Sequence, residues 1–272
     1  MYVGSQDRLY FASVAQQRGD GPRISICYWD LASDEVATWV PDARMANGIR
    51  LSCDERCLLV CEQGDRKRPA AIARYRLVDA RREVIVDDCT ATPFNSPNKV
   101  VEPRPGAYVF TDPDYGPRQG FRPRRYPPAT YSYDGEVLRK LTTGLLQPHG
   151  LALAPDGRAL YISDTAADDG TGGYDPALPH SIHRYALDLD ALTLGDGKRI
   201  ASVPDGIPDG MGCDSAGRLY AATGDGVRVY DDSGELLHHY PIAGGAVNLW
   251  LDEPRGRLFA TTDEDIQVWA LA

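Results

Sequence analysis

Five polar residues that could bind a metal ion or a carbonyl group recur along the sequence. They are Asn47, Asn98, His149, Asp209 and Asn248, separated by 51, 51, 60 and 39 residues. If the chain repeats around an axis, side chains at equivalent positions converge on one point. Amide and carboxylate oxygens suit calcium or magnesium, whereas an imidazole nitrogen favours zinc, manganese or iron. The recurrence therefore predicts one shared binding site.

Glycine follows three of these five residues, at Gly48, Gly150 and Gly210. Because glycine has no Cβ, we expect the backbone at these positions to lie close to whatever group occupies the site. Asparagine and aspartate also favour turns at strand entries, since their side chains bond to nearby backbone groups. A purely structural role is thus the alternative at each position taken alone.

A repeated strand pattern predicts the elements that position these residues. A turn followed by a short apolar strand occurs six times, with a mean spacing of about 50 residues. A second strand of alternating apolar and polar residues follows each copy, and a third, more polar strand follows five of them. Four strands in a repeat of this length form one blade of a β-propeller. We therefore predict an all-β fold, a six-bladed β-propeller in a single domain spanning residues 1–272, in which the five polar residues begin the innermost strands. We call them the strand-entry residues.

The predicted blades span residues 1–45, 46–97, 98–147, 148–207, 208–245 and 246–272. The sixth copy stops after its second hairpin strand, and the first has only residues 1–3 for its innermost strand. A propeller closes by sharing strands between its termini, because an open ring leaves an edge of unpaired backbone groups. Closure is therefore expected to be incomplete.

The charge balance limits the classes of partner. The chain has 39 acidic and 29 basic residues, a formal net charge of −10, whereas nucleic acids and anionic membranes require clustered positive charge. No apolar stretch is long enough to span a bilayer, and the N-terminus lacks the pattern of an export signal. We expect a cytoplasmic protein that acts on a small molecule, as a monomer or weak homo-oligomer, without a nucleic-acid or membrane partner.

Three segments resemble the gluconolactonase, regucalcin and diisopropyl-fluorophosphatase-like family of six-bladed propellers. They cover residues 95–116 (N-S-P-N-K-V-V and Y-V-F-T-D-P-D-Y-G), 148–165 (P-H-G-L-A-L-A-P-D-G) and 207–231 (I-P-D-G-M-G-C-D). The resemblance extends over nearly the whole chain. The stretch ending in Y-G-P-R-Q-G-F-R-P is most similar to fungal and bacterial lactonase-like members.

The resemblance implies one divalent cation, which could be calcium, zinc, magnesium or manganese. In the family the ligands are a Glu, two Asn and an Asp. Asn98 and Asp209 match the first Asn and the Asp, and His149 stands where the second Asn is expected. Lys99 replaces the acidic residue that usually follows the first Asn, and alignment of the first strand places the Glu before Met1.

The resemblance favours a metal-dependent hydrolase of a lactone or related ester. The cation would polarise the carbonyl group and lower the pKa of a bound water molecule. Asp209 would be a ligand and proton acceptor, Asn98 a ligand that orients the substrate, and His149 a ligand or general base.

Two alternatives use the same pocket. In a metal-independent biosynthetic isomerase or cyclase, Lys99 and His149 would serve as catalytic groups facing Asp209. In a non-catalytic propeller, the pocket would only bind a small molecule.

Further residues are predicted to contact the substrate. They are Asn47, Asn248, Asp112, Arg118 and Arg122. The two arginines belong to a proline-rich loop that is either a solvated surface segment or a clamp for a carboxylate or phosphate group. The long glycine-rich segment 167–180 is predicted to be a lid over the site.

Overall fold

The computed structural model describes residues 1–18, 21–88, 93–115 and 126–272 as antiparallel β-sheets and connecting loops. Within these ranges there is no α-helix, only two short 3-10 turns at Gly4–Gln6 and Glu253–Arg255. No helix in the described ranges is long and apolar enough to cross a membrane. The chain divides into two compact units, Met1–Lys140 and Leu141–Ala272.

The first unit contains three four-stranded sheets. Sheet 1 consists of β1 (Tyr2–Val3), β2 (Arg8–Ala12), β5 (Ile26–Asp30) and β6 (Glu35–Val40), with a separate hairpin of β3 (Gln16–Arg18) and β4 (Gly21–Arg23). Sheet 2 consists of β7 (Ala46–Leu51), β8 (Cys57–Glu62), β9 (Ala71–Arg76) and β10 (Arg82–Val86). Sheet 3 consists of β11 (Val100–Arg104), β12 (Ala107–Asp112), β13 (Ala129–Tyr133) and β14 (Leu138–Leu141), whose last residue lies past the unit boundary.

The second unit contains two four-stranded sheets and one three-stranded sheet. Sheet 4 consists of β15 (Pro148–Leu153), β16 (Ala159–Asp164), β17 (Ser181–Asp188) and β18 (Thr193–Ser202). Sheet 5 consists of β19 (Met211–Cys213), β20 (Leu219–Thr223), β21 (Gly226–Tyr230) and β22 (Leu236–Pro241). Sheet 6 consists of β23 (Asn248–Asp252), β24 (Arg257–Thr261) and β25 (Ile266–Ala270).

The strands of each sheet are consecutive in the chain, apart from one extra hairpin. Each sheet lies within one predicted blade, and its strands follow in chain order from one edge to the other, apart from the extra hairpin of β3 and β4, which the strand pattern did not predict. The short strand β1 completes sheet 1, with Tyr2 opposite Leu9.

Apolar residues from neighbouring sheets form the core of each unit. Leu59 and Ile72 of sheet 2 pack with Phe110 and Tyr131 of sheet 3, where the two rings stack with their centroids 5.5 Å apart. Each buried side chain of this size contributes about 1.5–3 kcal/mol. In the second unit, similar clusters join sheet 4 to sheet 5 and sheet 5 to sheet 6. This packing fixes the spacing between neighbouring inner strands.

Asp225 ties together the turn between β20 and β21. Its carboxylate accepts hydrogen bonds from the Thr223 hydroxyl at 2.7 Å and from the Arg228 guanidinium. The Arg228 hydrogen bond is the main reason that the pKa of Asp225 is lowered to about 2.

We expect the free energy of unfolding to decrease as the pH falls from about 4 towards about 2. Because the pKa of Asp225 is lower in the folded state, the unfolded chain binds more protons in this range, and stability present at higher pH is lost. Urea unfolding followed by circular dichroism measures this decrease. Asp225→Asn should flatten it, and Asp232→Asn, at an exposed position, should leave it unchanged. An equally steep decrease in Asp225→Asn would contradict this assignment.

Candidate active site

His149 and Asp209 lie beside each other in the second unit. Nδ1 of His149 is 3.4 Å from Oδ1 of Asp209. His149 is 4% exposed, whereas the Asp209 side chain is 20% exposed. The pair thus combines a buried imidazole with a carboxylate that solvent reaches. A carboxylate in this position orients an imidazole and stabilises the positive charge that forms when the ring accepts a proton.

Two glycines set the approach of the inner strands in this unit. A Cβ atom on Gly150 would lie 2.0 Å from the carbonyl oxygen of Asp209, and one on Gly210 would lie 2.1 Å from Oδ1 of Asn248. Both distances are far below those of real Cβ contacts, so no side chain fits at either position. Each glycine therefore packs directly against the next strand-entry residue.

The same contact occurs in the first unit. A Cβ atom on Gly48 would lie 2.1 Å from the carbonyl oxygen of Asn98, and the Gly48 amide donates a hydrogen bond to that oxygen at 2.9 Å. The backbone at these glycines does lie close to another group, as expected. The space beside each glycine is filled by the neighbouring inner strand.

Asp112 holds the loop that leads to Asn98. It is fully buried, and its two carboxylate oxygens accept hydrogen bonds from the backbone amides of Asn95 at 2.9 Å and Ser96 at 2.6 Å. A carboxylate engaged in this way stabilises the loop conformation. These two hydrogen bonds give Asp112 a structural role in the loop, and its contact with the substrate stays a prediction.

Asp164 holds the equivalent loop in sheet 4. Its oxygens accept hydrogen bonds from the backbone amides of Leu146 at 2.8 Å and Gln147 at 2.9 Å. His149 lies two residues beyond the second amide of this clamp, as Asn98 does in sheet 3. The shared clamp makes Asn98 and His149 structural equivalents.

Asn98 and Lys99 occupy different surroundings, since consecutive residues of an extended segment point in opposite directions. Asn98 is 2% exposed, and among the described residues no donor hydrogen-bonds to its buried Oδ1 atom. Lys99 is also buried. Burial raises the pKa of the Cys61 thiol, and the nearby Lys99 ammonium opposes that rise. The structure thus places the Lys99 charge near the core of the first unit, and its catalytic role stays a prediction.

Two of the other four predicted substrate-contacting residues lie in the described part of the chain. Asn47 is half-buried in β7. Asn248 begins β23, and its Oδ1 accepts a hydrogen bond from the Leu249 amide at 2.9 Å. Arg118 and Arg122 lie outside the described residues.

The segment predicted to be a lid lies at the end of sheet 4 that carries His149. It connects β16 to β17, and Asp164 at its start pairs with Pro148 on one side and Ser181 on the other. The Tyr174 hydroxyl donates a hydrogen bond to the Gly206 carbonyl oxygen at 3.1 Å, three residues before Asp209. The segment is therefore attached to the chain that leads to Asp209, and its action as a lid stays a prediction.

Ser163 is a buried polar residue of the site that the sequence gives no reason to select. Its hydroxyl, on β16, accepts a hydrogen bond from the Gly150 amide at 2.6 Å. Ser163 is fully buried, and a lone serine in an apolar strand gives no signal of such a role. The signal emerges only when the equivalent positions of the six sheets are compared.

The strand order of the six sheets is that of a β-propeller. The family model described as "SMP-30/Gluconolactonase/LRE-like region" matches residues 1–263. The chain therefore belongs to the SMP-30/gluconolactonase/LRE-like family. This confirms the family suggested by the sequence motifs.

Solved structures confirm the fold. A gluconolactonase from Xanthomonas campestris is 29% identical, with a TM-score of 0.73 over 98% of this chain and 88% of its own. A putative gluconolactonase is 25% identical, with a TM-score of 0.78 over 100% of this chain and 89% of its own. A calcium-binding regucalcin from Agrobacterium tumefaciens shares the fold at 17% identity, with a TM-score of 0.67 over 94% of this chain and 83% of its own. The prediction of an all-β, six-bladed propeller is confirmed.

Curated relatives carry lactonase names. A gluconolactonase from Zymomonas mobilis is 33% identical over an aligned length of 204 residues, and the alignment covers 71% of this chain and 53% of that protein. The lactonohydrolase oryL from Aspergillus oryzae is 25% identical over an aligned length of 299 residues, and the alignment covers 100% of this chain and 64% of that protein. The chain thus spans between half and two thirds of the length of these two relatives.

Gly150→Ala should destabilise the protein by about 1–3 kcal/mol, because the methyl group would overlap the Asp209 carbonyl oxygen. Urea unfolding measures this loss. Gly195→Ala is the matched control, since a Cβ there would lie 3.4 Å from the Ala186 Cβ, an ordinary contact. Equal stability of the two variants would contradict the close packing of the inner strands.

Proposed function

We propose that this protein hydrolyses a small lactone, with His149 and Asp209 at the reacting centre and one divalent cation as cofactor. The observation that carries the proposal is the 3.4 Å contact between the buried imidazole and the partly exposed carboxylate. The family supports it as well, since the relatives from Zymomonas mobilis and Xanthomonas campestris are named gluconolactonases.

The donor atoms fit a divalent cation. His149 and Asp209 offer an imidazole nitrogen and carboxylate oxygens at one point of the second unit. In the first unit, Asn98 matches a ligand of the family pattern. Its buried Oδ1 atom has no hydrogen-bond donor in the described part of the chain, and a buried oxygen of this kind is stabilised by a cation. With one imidazole and one carboxylate, the set suits zinc or manganese better than calcium.

His149 and Asp209 have different roles in the proposed reaction. The ring nitrogen of His149 that faces Asp209 is Nδ1, so Nδ1 and the Asp209 carboxylate would together hold the cation, with the ring proton on Nε2. When the ring does not bind the cation, it can accept a proton instead. When bound, the cation polarises the lactone carbonyl and lowers the pKa of bound water.

Hydrolysis then needs two proton movements. The attacking water forms a bond to the carbonyl carbon and gives up a proton, which His149 or Asp209 accepts. The bond between that carbon and the ring oxygen breaks, and the ring oxygen receives the proton. The product is an open-chain hydroxy acid, with no other reactant consumed.

His149→Gln and Asp209→Asn should each lower the turnover of glucono-δ-lactone or δ-valerolactone by about 100-fold or more, because each removes a group that binds the cation or moves the proton. Acid release in a pH-stat measures this turnover. His238→Gln and Asp232→Asn, at exposed positions, are the matched controls and should keep full activity. Full activity in His149→Gln and Asp209→Asn would contradict the assigned site.

Removal of divalent cations with a chelator should abolish the turnover, and zinc or manganese at about one ion per chain should restore it. Asp209→Asn should lose the bound ion as well as the activity, as measured by elemental analysis of dialysed protein. Turnover that continues without bound metal would contradict the cation and favour a metal-independent reaction at the same residues.

A further inference from the structure

In two sheets, the residue after the strand-entry residue donates its backbone amide hydrogen bond to an acceptor of the same sheet. In sheet 4, the Gly150 amide donates to the Ser163 hydroxyl at 2.6 Å. In sheet 3, the Lys99 amide donates to the Thr111 hydroxyl at 3.2 Å. Ser163 and Thr111 occupy the same place, the residue before last of the second strand. A hydroxyl side chain on the partner strand therefore replaces a regular backbone acceptor at both positions.

In sheets 2 and 5 the corresponding amide leaves its own sheet. It donates to a backbone carbonyl of the following sheet, in the pairs Gly48 with Asn98 at 2.9 Å and Gly210 with Val247 at 3.0 Å. The residues at the place of Ser163 are Cys61 and Ala222, and neither carries a hydroxyl group. In these four sheets the amide stays within its sheet where this position carries a hydroxyl group and leaves it where it does not. In sheet 6, where Ala260 takes this place, the Leu249 amide donates to the side chain of Asn248.

We propose that Ser163 is a positioning residue that sets the orientation of His149. The register of β15 and β16 is interrupted between Pro148 and Leu151, so His149 and Gly150 lie in an irregular stretch. The Ser163 hydroxyl is the acceptor that holds this stretch within sheet 4. The Asp209 carbonyl oxygen also lies next to Gly150 and is a competing acceptor. The Ser163 hydroxyl therefore keeps the Gly150 amide from turning towards the inner strand of sheet 5.

Loss of this hydroxyl converts sheet 4 to the arrangement of sheet 5. The Gly150 amide then bonds to a carbonyl of the neighbouring inner strand, as the Gly210 amide does. His149 shares the peptide bond with Gly150, so its side chain turns with that amide. The contact between its imidazole and Asp209 is lost as a result.

Enzyme kinetics test the effect on catalysis, which rests on the proposed lactone hydrolysis. Ser163→Ala should lower kcat by about 10-fold to 100-fold and leave KM within about twofold, since the reacting group moves while the binding surface stays in place. Ser163→Thr, which keeps the hydroxyl, should restore most of the kcat. Ser181→Ala removes another buried serine hydroxyl of sheet 4 and should leave kcat unchanged.

A double-mutant cycle separates positioning from general stability. In a His149→Ala background, Ser163→Ala should cause no further loss of kcat, because the group that it positions is gone. An unchanged kcat in Ser163→Ala, or the same fold loss in both backgrounds, would overturn the proposal.

Nuclear magnetic resonance tests the same inference without any turnover. Ser163→Ala should increase hydrogen exchange at the Gly150 amide by about 10-fold or more and shift the His149 imidazole resonances, whereas Ser163→Thr should retain the wild-type signals. Unchanged Gly150 and His149 signals in Ser163→Ala would overturn the positioning role whatever the activity. Full lactonase activity in His149→Gln would overturn only the proposed function.

Discussion

The close approach of neighbouring inner strands is the constraint on which the site depends. At Gly48, Gly150 and Gly210 a single Cβ atom would come within about 2 Å of the next strand-entry residue. Packing between sheets brings the strands to this distance, and only glycine leaves room for it. The contact of His149 with Asp209 follows directly, because Gly150 and the Asp209 backbone touch at the next residue.

The strand-entry residues share a backbone environment but differ in chemistry. Clamps made by Asp112 and Asp164 present Asn98 and His149 in the same way. An imidazole at the second of these positions adds a group that binds protons as well as metal ions, and Asp209 supplies the neighbouring negative charge. The same backbone arrangement is thus repeated in two sheets, and in sheet 4 it carries a side chain that can transfer protons. This combination is the basis of the proposed lactone hydrolysis.

Strand periodicity was sufficient to predict the sheets, because alternation and turn residues are local signals. The same approach located His149 and Asp209, since equivalent positions of a repeat converge. It failed where the tertiary contact decides the role. Residue type alone did not indicate that Asp112 binds loop amides or that the glycines lie against the neighbouring strand. The hairpin of β3 and β4 lacks the apolar pattern of the blades. The part played by Ser163 depends on a hydrogen bond between strands, which no local pattern reveals.

We propose that His149 and Asp209 together form a metal-binding and reacting centre. The most direct test is a crystal structure of the protein soaked in zinc, with data collected across the zinc absorption edge. We expect an anomalous peak at zinc–ligand distance, about 2.0–2.2 Å, from a His149 ring nitrogen and an Asp209 carboxylate oxygen. The peak should be absent in Asp209→Asn. A folded wild-type protein with no peak beside these residues, or with the two side chains far apart, would contradict this centre.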